Sequence, residues 1–289
     1  MEILSTFING LSLGGIYAMI ALGYTMVYGI AKMLNFAHGD IIMVGGYVIY
    51  VFMLFSNPIL AILMAVLFCV ILGVLLEKIA YKPLRGASPL AVLITAIGVS
   101  YLLQSLAQII FGSANKMVIV YDFGAVKFLG ANVQISALLT LGVALVVMAA
   151  LTLFVKYTRL GRAMIAVSED RGAAQLMGIN VNRIITVTFA IGSALAALAG
   201  LFYLFKAPSI SSTLGAMPGI KAFTAAVIGG IGSIPGAMLG GLLLGMVESV
   251  SYKITAIAPY TDAIEFSILI LILLVRPTGF LGKKRREKV

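Results

Sequence analysis

An all-α, polytopic membrane fold of about eight or nine membrane segments, some broken or re-entrant and rich in Gly, is what this sequence predicts. Three observations carry that expectation. Charged residues make up 10% of the 289 positions and hydrophobic ones 62%, where a soluble domain carries roughly 25% charge; mean hydropathy is +1.13. The apolar runs last about 20 residues, the length a helix needs to cross the hydrocarbon core, rather than the ~10 alternating residues of a spanning strand. The cations behind the net charge of +10 fall between those runs, a pattern of membrane topology and not of nucleic-acid binding.

The elements follow in order. The N-terminal stretch has no Lys or Arg ahead of its apolar run, so it makes a poor secretory signal, and Phe7–Ile30 is expected to remain as a membrane helix. Ile41–Phe55, Ile59–Leu76 and Leu90–Phe111 come next. Residues 112–134 then break the pattern, and their Gly, Asn and Asp spacing with β-branched runs predicts a short hairpin or an extended flap. Ile135–Val155 leads into the polar loop 156–183, and Ile184–Phe205 leaves it. Ile220–Ile231, Ala237–Val250 and Ala263–Val275 complete the set before a basic tail at 277–289. All of 1–289 reads as one transmembrane domain.

Several segments are shorter than a free-standing span. GGIGSIPG interrupts the pair Ile220–Ile231 and Ala237–Val250, making Gly229, Gly230, Gly232, Ser233, Pro235 and Gly236 an expected helix break. NFAHGD supplies another through Asn35, Phe36, His38, Gly39 and Asp40. Freed backbone of this kind survives in a bilayer only where protein or a water-filled cavity covers it. Leu34–Tyr47 and Gly230–Gly245 each set a Gly-containing turn before a small-residue helix, which would be an internal repeat with a pathway between matching breaks.

Placing the N-terminus outside puts every arginine inside, with Lys32, Lys78, Lys82, Lys156, Lys283, Lys284 and Lys288. Lys116, Lys127, Lys206, Lys221 and Lys253 remain outside, so 156–183 and the tail face inward. The tail is a topology anchor that could also touch anionic lipid.

In the inner loop, AAQLMGI is built of helix formers. Ser168 is expected to cap that helix, Glu169 and Asp170 to lie in its first turn, and Gly178 to end it as C′. Gly172, Ala173 and Ala174 would admit a close partner surface; the alternative is a solvated loop helix without one.

Other groups are weighed singly. His38 is the only histidine; it is either an ionisable site in the membrane or one of the side chains that satisfy backbone at a helix break. Glu248 either pairs with Lys253 or faces a polar cavity. Mid-span carboxylates are expected to be almost absent, which argues against an ion-coupled carrier. Cys69, the single cysteine, reads as a packed thiol, so neither a disulfide nor a cysteine metal site is expected. No catalytic constellation and no metal cluster is legible. Around Gly282–Lys283, Pro277 and Lys284 stand where a phosphate-binding loop needs Gly and Ser or Thr.

AAQLMGI (Ala173–Ile179) resembles the Ala-Ala-x-x-x-Gly coupling loop of ATP-binding-cassette importer permeases. LGRAMIAVSED (Leu160–Asp170), NFAHGD, AYKPLRG (Ala80–Gly86), KAFTAAVIGGIGSIPGAMLGGLLLG (Lys221–Gly245) and LLVRPTGFLG (Leu273–Gly282) are similar, in order, to the LivH-type permeases of high-affinity branched-chain amino-acid importers. The resemblance implies inward transport of leucine, isoleucine and valine through the cell inner membrane, with a periplasmic N-terminus and 112–134 and a cytoplasmic C-terminus. It implies two separate ATPase subunits holding ATP and magnesium, a second and different permease, and a periplasmic amino-acid-binding protein docking near 112–134 and 208–218. It further implies coupling through Arg162, Glu169, Asp170, Ala173, Ala174, Gly178 and Ile179. One departure is that Asp170, Arg171 and Gly172 separate Glu169 from Ala173–Ala174, where the importer loop reads Glu-Ala-Ala. A permease for urea, short amides or another small polar solute is the near alternative, and an ion-coupled secondary carrier the distant one.

Overall fold

Burial sorts the helices of the computed structural model, which describes residues 2–121, 123–128 and 131–282, into a central pair and a lipid-facing belt. The helices are α1 (Glu2–Ala31), α2 (His38–Met53), α3 (Pro58–Leu76), α4 (Pro89–Phe111), α5 (Ile135–Tyr157), α6 (Arg159–Glu169), α7 (Arg171–Leu176), α8 (Val181–Lys206), α9 (Ala216–Gly229), α10 (Ile234–Lys253) and α11 (Thr261–Val275). Among the described residues seven helices are long and apolar enough to cross a membrane. α2 and α9 are not: at 1.5 Å per residue they extend about 24 and 21 Å, short of a ~30 Å hydrocarbon core. The nine apolar segments read from sequence are all helical. α1 and α8 are the most buried of the long spans, while α3, α4, α5 and α11 turn most of their residues outward.

Packing is reciprocal. α1 lies against α8, α9 and α10, whereas α8 lies against α1, α2 and α3; α2 packs on α3 as α9 packs on α10. That is the contact pattern of two related halves. It relates α2 to α9, not to the segment Gly230–Gly245 matched from sequence, because the non-helical stretches that lead into the two short helices are residues 32–37 before α2 and residues 207–215 before α9. The two short helices meet by their first turns. A side chain on Gly39 would strike the backbone of Gly215 and one on Gly215 that of Gly39, so backbones touch there and only glycine fits. His38 beside this contact abuts Gly192, about midway along α8.

GGIGSIPG is not a break within a span. It is the turn of an antiparallel α9–α10 hairpin: Gly229 backs onto Gly236, and Gly240 onto Ala225. Gly230 and Gly232 take positive φ, and Ser233 caps α10 by accepting from the Gly236 amide at 3.2 Å. Pro235 lies exposed in the first turn of α10. The chain after α11 closes the turn, with the Phe280 and Leu281 amides donating to the Ile228 and Gly229 carbonyls, each at 2.9 Å.

The bundle has two unlike ends. At one, strands β2 (Ala125–Phe128) and β3 (Ala131–Gln134) form the hairpin expected within 112–134 and lean on α1 near its start. There β1 (Lys116–Met117) pairs antiparallel with β4 (Ser209–Ile210), a contact that sequence did not foretell. At the other end lie the close of α1, residues 77–85, α6, α7 and the α9–α10 turn. Of the tail, 283–289 falls outside the described residues.

Candidate functional site

The loop 156–183 folds as two helices rather than one. Thr158 caps α6, its Oγ1 accepting from the Gly161 amide at 2.9 Å, and Gly161, Met164 and Val167 form the buried face. Ser168 does not cap the next helix. It lies inside α6 and donates to the Ile165 carbonyl, while Asp170 caps α7 by accepting from the Ala173 amide at 3.0 Å. A carboxylate at that position also suits the helix dipole. The end of α7 is as read from sequence: Gly178 has φ +80°, its amide donates to Gln175 and that of Ile179 to Ala174, both at 3.0 Å, which makes a Schellman cap.

This arrangement divides the expected coupling residues. Ala174 is buried and Ile179 half-buried, while Arg162, Glu169, Asp170, Ala173 and Gly178 are exposed. Beyond them Leu176 and Met177 are 91% and 82% exposed, two large apolar side chains projecting from the tip of a helix.

α1, residues 32–37 and α9 wall a narrow cleft lined by Tyr24, Tyr28, Asn35, Phe223 and Ile231. Phe36 packs on Phe223 and Tyr24 on both Phe223 and His38. NFAHGD thus acts as a set of staples between helices. Tyr81 donates to Asn35 Oδ1 at 2.6 Å and Gln104 to Asp40 Oδ1 at 2.9 Å. His38 is fully buried against the α1 backbone, the place of a packed side chain at a helix break. Asn35 Nδ2 and His38 Nε2 find no hydrogen-bond partner among the described residues.

The motif AYKPLRG gains its physical meaning here. Residues 77–81 widen into a π-turn, a distortion that frequently marks functional segments. Glu77 is fully buried and bound by Arg85 and by Thr186 Oγ1, the latter at 2.7 Å; Arg85 also reaches Asn182 at the start of α8.

Lys221, counted from sequence among the outer loop cations, is instead a buried residue of α9. Its Nζ lies 3.1 Å from Glu248, 2.8 Å from Asp262 and 3.3 Å from Glu265, and Tyr17 donates to Glu248 at 2.6 Å. Glu248 therefore pairs with Lys221 and not as expected with Lys253 or a cavity. Asp40, Glu77, Glu248 and Glu265 are all buried carboxylates; Asp40 and Glu265 lie near the starts of α2 and α11, Glu77 just after α3 and Glu248 five residues before the end of α10. The signal was present: a lysine in an apolar segment requires a carboxylate partner on a neighbouring helix. Among the described residues no cluster of His, Cys, Asp and Glu could hold a metal ion.

Residues 6–273 match the family model described as branched-chain amino acid transport system, permease component. The chain is 43% identical to the high-affinity branched-chain amino acid transport system permease protein BraD of Pseudomonas aeruginosa, over 99% of this chain and 98% of that one. It is 42% identical to the permease protein LivH of Escherichia coli, over 99% and 97%. A solved structure, PsaBC from Streptococcus pneumoniae in complex with Fab, shares the fold at TM-score 0.50 and 18% identity, covering 93% of this chain and 91% of that one.

Proposed function

The chain belongs to the family of branched-chain amino acid transport system permease components, and from that premise we propose that it carries leucine, isoleucine and valine inward as one half of a transmembrane pair. The observation that bears most weight is the likeness to permeases of that family along nearly the whole of both chains. One of two ATPase subunits would seat the exposed Leu176–Met177 tip of α7 in a groove, and a second, different permease would complete the pathway and engage the other. A periplasmic amino-acid-binding protein would deliver substrate to the end that carries the β2–β3 hairpin. The N-terminus would then be periplasmic and the C-terminus cytoplasmic, in the inner membrane.

The transport path opens, on this reading, beside the narrow cleft of Tyr24, Tyr28, Asn35 and Phe223, where aromatic faces suit aliphatic side chains. ATP binding closes the ATPase dimer, displaces α7 and re-orients α1 and α9 about the cleft; ATP and magnesium stay with the partner subunits. Affinity purification of the tagged chain from native membranes in mild detergent tests the assembly. Recovery of ATPase subunits, a second permease and an amino-acid-binding protein is the expected result. A chain recovered alone, under conditions that keep a known importer intact, would point to a self-sufficient carrier. A urea- or amide-binding protein among the companions would move the substrate to that class.

A further inference from the structure

α1 ends where it is most in need of donors. The last carbonyls of a helix have no partner inside it and sit at the negative end of its dipole, and the last turn of α1 contains no basic residue. Lys32, the next residue, bends away with φ 55° and turns its ammonium back to the Gly29 carbonyl. The Ile30 and Ala31 carbonyls are met from much farther along the chain. Arg171 Nη2 donates to Ile30 at 3.1 Å and to Ala31 as well. Arg171 is the first residue of α7, immediately after its cap Asp170. Burial, and then the nearby Arg85, lower its pKa from the ordinary value, yet an arginine so placed keeps its charge.

One short helix therefore holds two objects. Its first residue grips the end of α1, and its far tip presents Leu176 and Met177 to a partner. The gripped end is not a passive terminus. Tyr28 and Tyr24, within two turns of it, line the cleft, and the irregular residues 32–37 that follow it carry Asn35 into its wall and Phe36 against Phe223, another lining residue. A guanidinium holding two adjacent carbonyls is a directional link in a way that apolar contact is not.

From this geometry we infer that Arg171 is the positioning residue that transmits displacement of α7 to the end of α1, and so to the inner wall of the cleft. The inference rests on the proposed coupling role of α7. Arg171 touches no substrate; its effect passes through the Ile30 and Ala31 carbonyls.

The test uses the complete importer in proteoliposomes. Cys69 is the only cysteine and is buried, so single thiol reporters can be read by their labelling rates. One reporter is Gln175→Cys on α7 and the other Tyr28→Cys in the cleft, each with and without ATP. With Arg171 intact, both should change severalfold on ATP binding. With Arg171→Gln, the Gln175 reporter should still respond and the Tyr28 reporter should not. Uptake should then fall tenfold or more while ATP hydrolysis continues, and Arg171→Lys should recover part of the uptake. Normal uptake per ATP in Arg171→Gln would overturn the assignment, as would a Tyr28 reporter that still responds. Loss of the ATPase subunits on purification would overturn it too, by making Arg171 a docking or folding residue. A Gln175 reporter that never responds, even with Arg171 present, would instead sink the coupling role of α7 itself, and this inference with it.

Discussion

Lys221 and Glu248 meet at 3.1 Å between α9 and α10, buried among apolar helices, with Glu265 3.3 Å from the same ammonium. One cation therefore holds more than one carboxylate, and the site is asymmetric. Replacing Lys221 with Met strands carboxylates in a dry setting, and removing one partner of a buried pair costs about 3–5 kcal/mol. We expect Lys221→Met to lower the melting temperature in detergent or to prevent accumulation in the membrane. Glu265→Gln leaves the Lys221–Glu248 pair in place and replaces a carboxyl whose oxygens find no hydrogen-bond partner among the described residues with a neutral amide of the same shape, so it should melt no lower than the parent chain. A larger loss in Glu265→Gln than in Lys221→Met would show that the pairing has been read the wrong way round.

Gly178 tests the cap of α7. Its φ of +80° is unfavourable for a side chain, yet the space around it is open. Substitution should therefore act through backbone strain alone, at roughly 1–2 kcal/mol for a residue held in the left-handed region. Gly178→Val should insert normally, hydrolyse ATP with its partners and lose most uptake. Gly178→Asn, which tolerates that conformation, should keep far more. Equal uptake in the two variants would remove the strain argument.

The tip of α7 tests docking. Leu176 and Met177 are so exposed that changing them should shift stability by no more than about 0.5 kcal/mol. Leu176→Asp together with Met177→Asp should give a chain that melts as before but no longer co-purifies with ATPase subunits. Undiminished recovery of those subunits would move the docking surface elsewhere.

Tyr81 tests the brace behind the cleft. Tyr81→Phe removes the hydrogen bond to Asn35 and leaves a buried amide oxygen unpaired, a cost of about 1–3 kcal/mol. Because Asn35 sits in the cleft wall, the expected signature is a lower melting temperature together with reduced uptake. Asn35→Ala combined with Tyr81→Phe should restore stability without restoring uptake. A double variant that melts as low as the single one would contradict the brace.

Much of this was legible in the chain. The spans announce themselves because each must be apolar over a bilayer's thickness, and α7 announces itself by helix formers ending on Gly178. The choice of Asp170 over Ser168 as its cap was not legible, since both can cap and only the length of α6 decides between them. The Gly229–Gly236 segment misled for a related reason: glycines serve a hairpin turn and a broken span equally well.

Composition and local pattern by themselves determined the class, the segments and the polar loop, because bilayer thickness and helix capping act on neighbours in sequence; the family likeness came from the resemblance of particular motifs. Tertiary structure alone decided the partners: Lys221 with Glu248, Tyr81 with Asn35, Arg171 with the end of α1. Each of these joins residues far apart in the chain, and a buried polar group is indifferent to separation so long as a partner of suitable charge and geometry arrives. Packing brings that partner, and no local pattern records which one it will be.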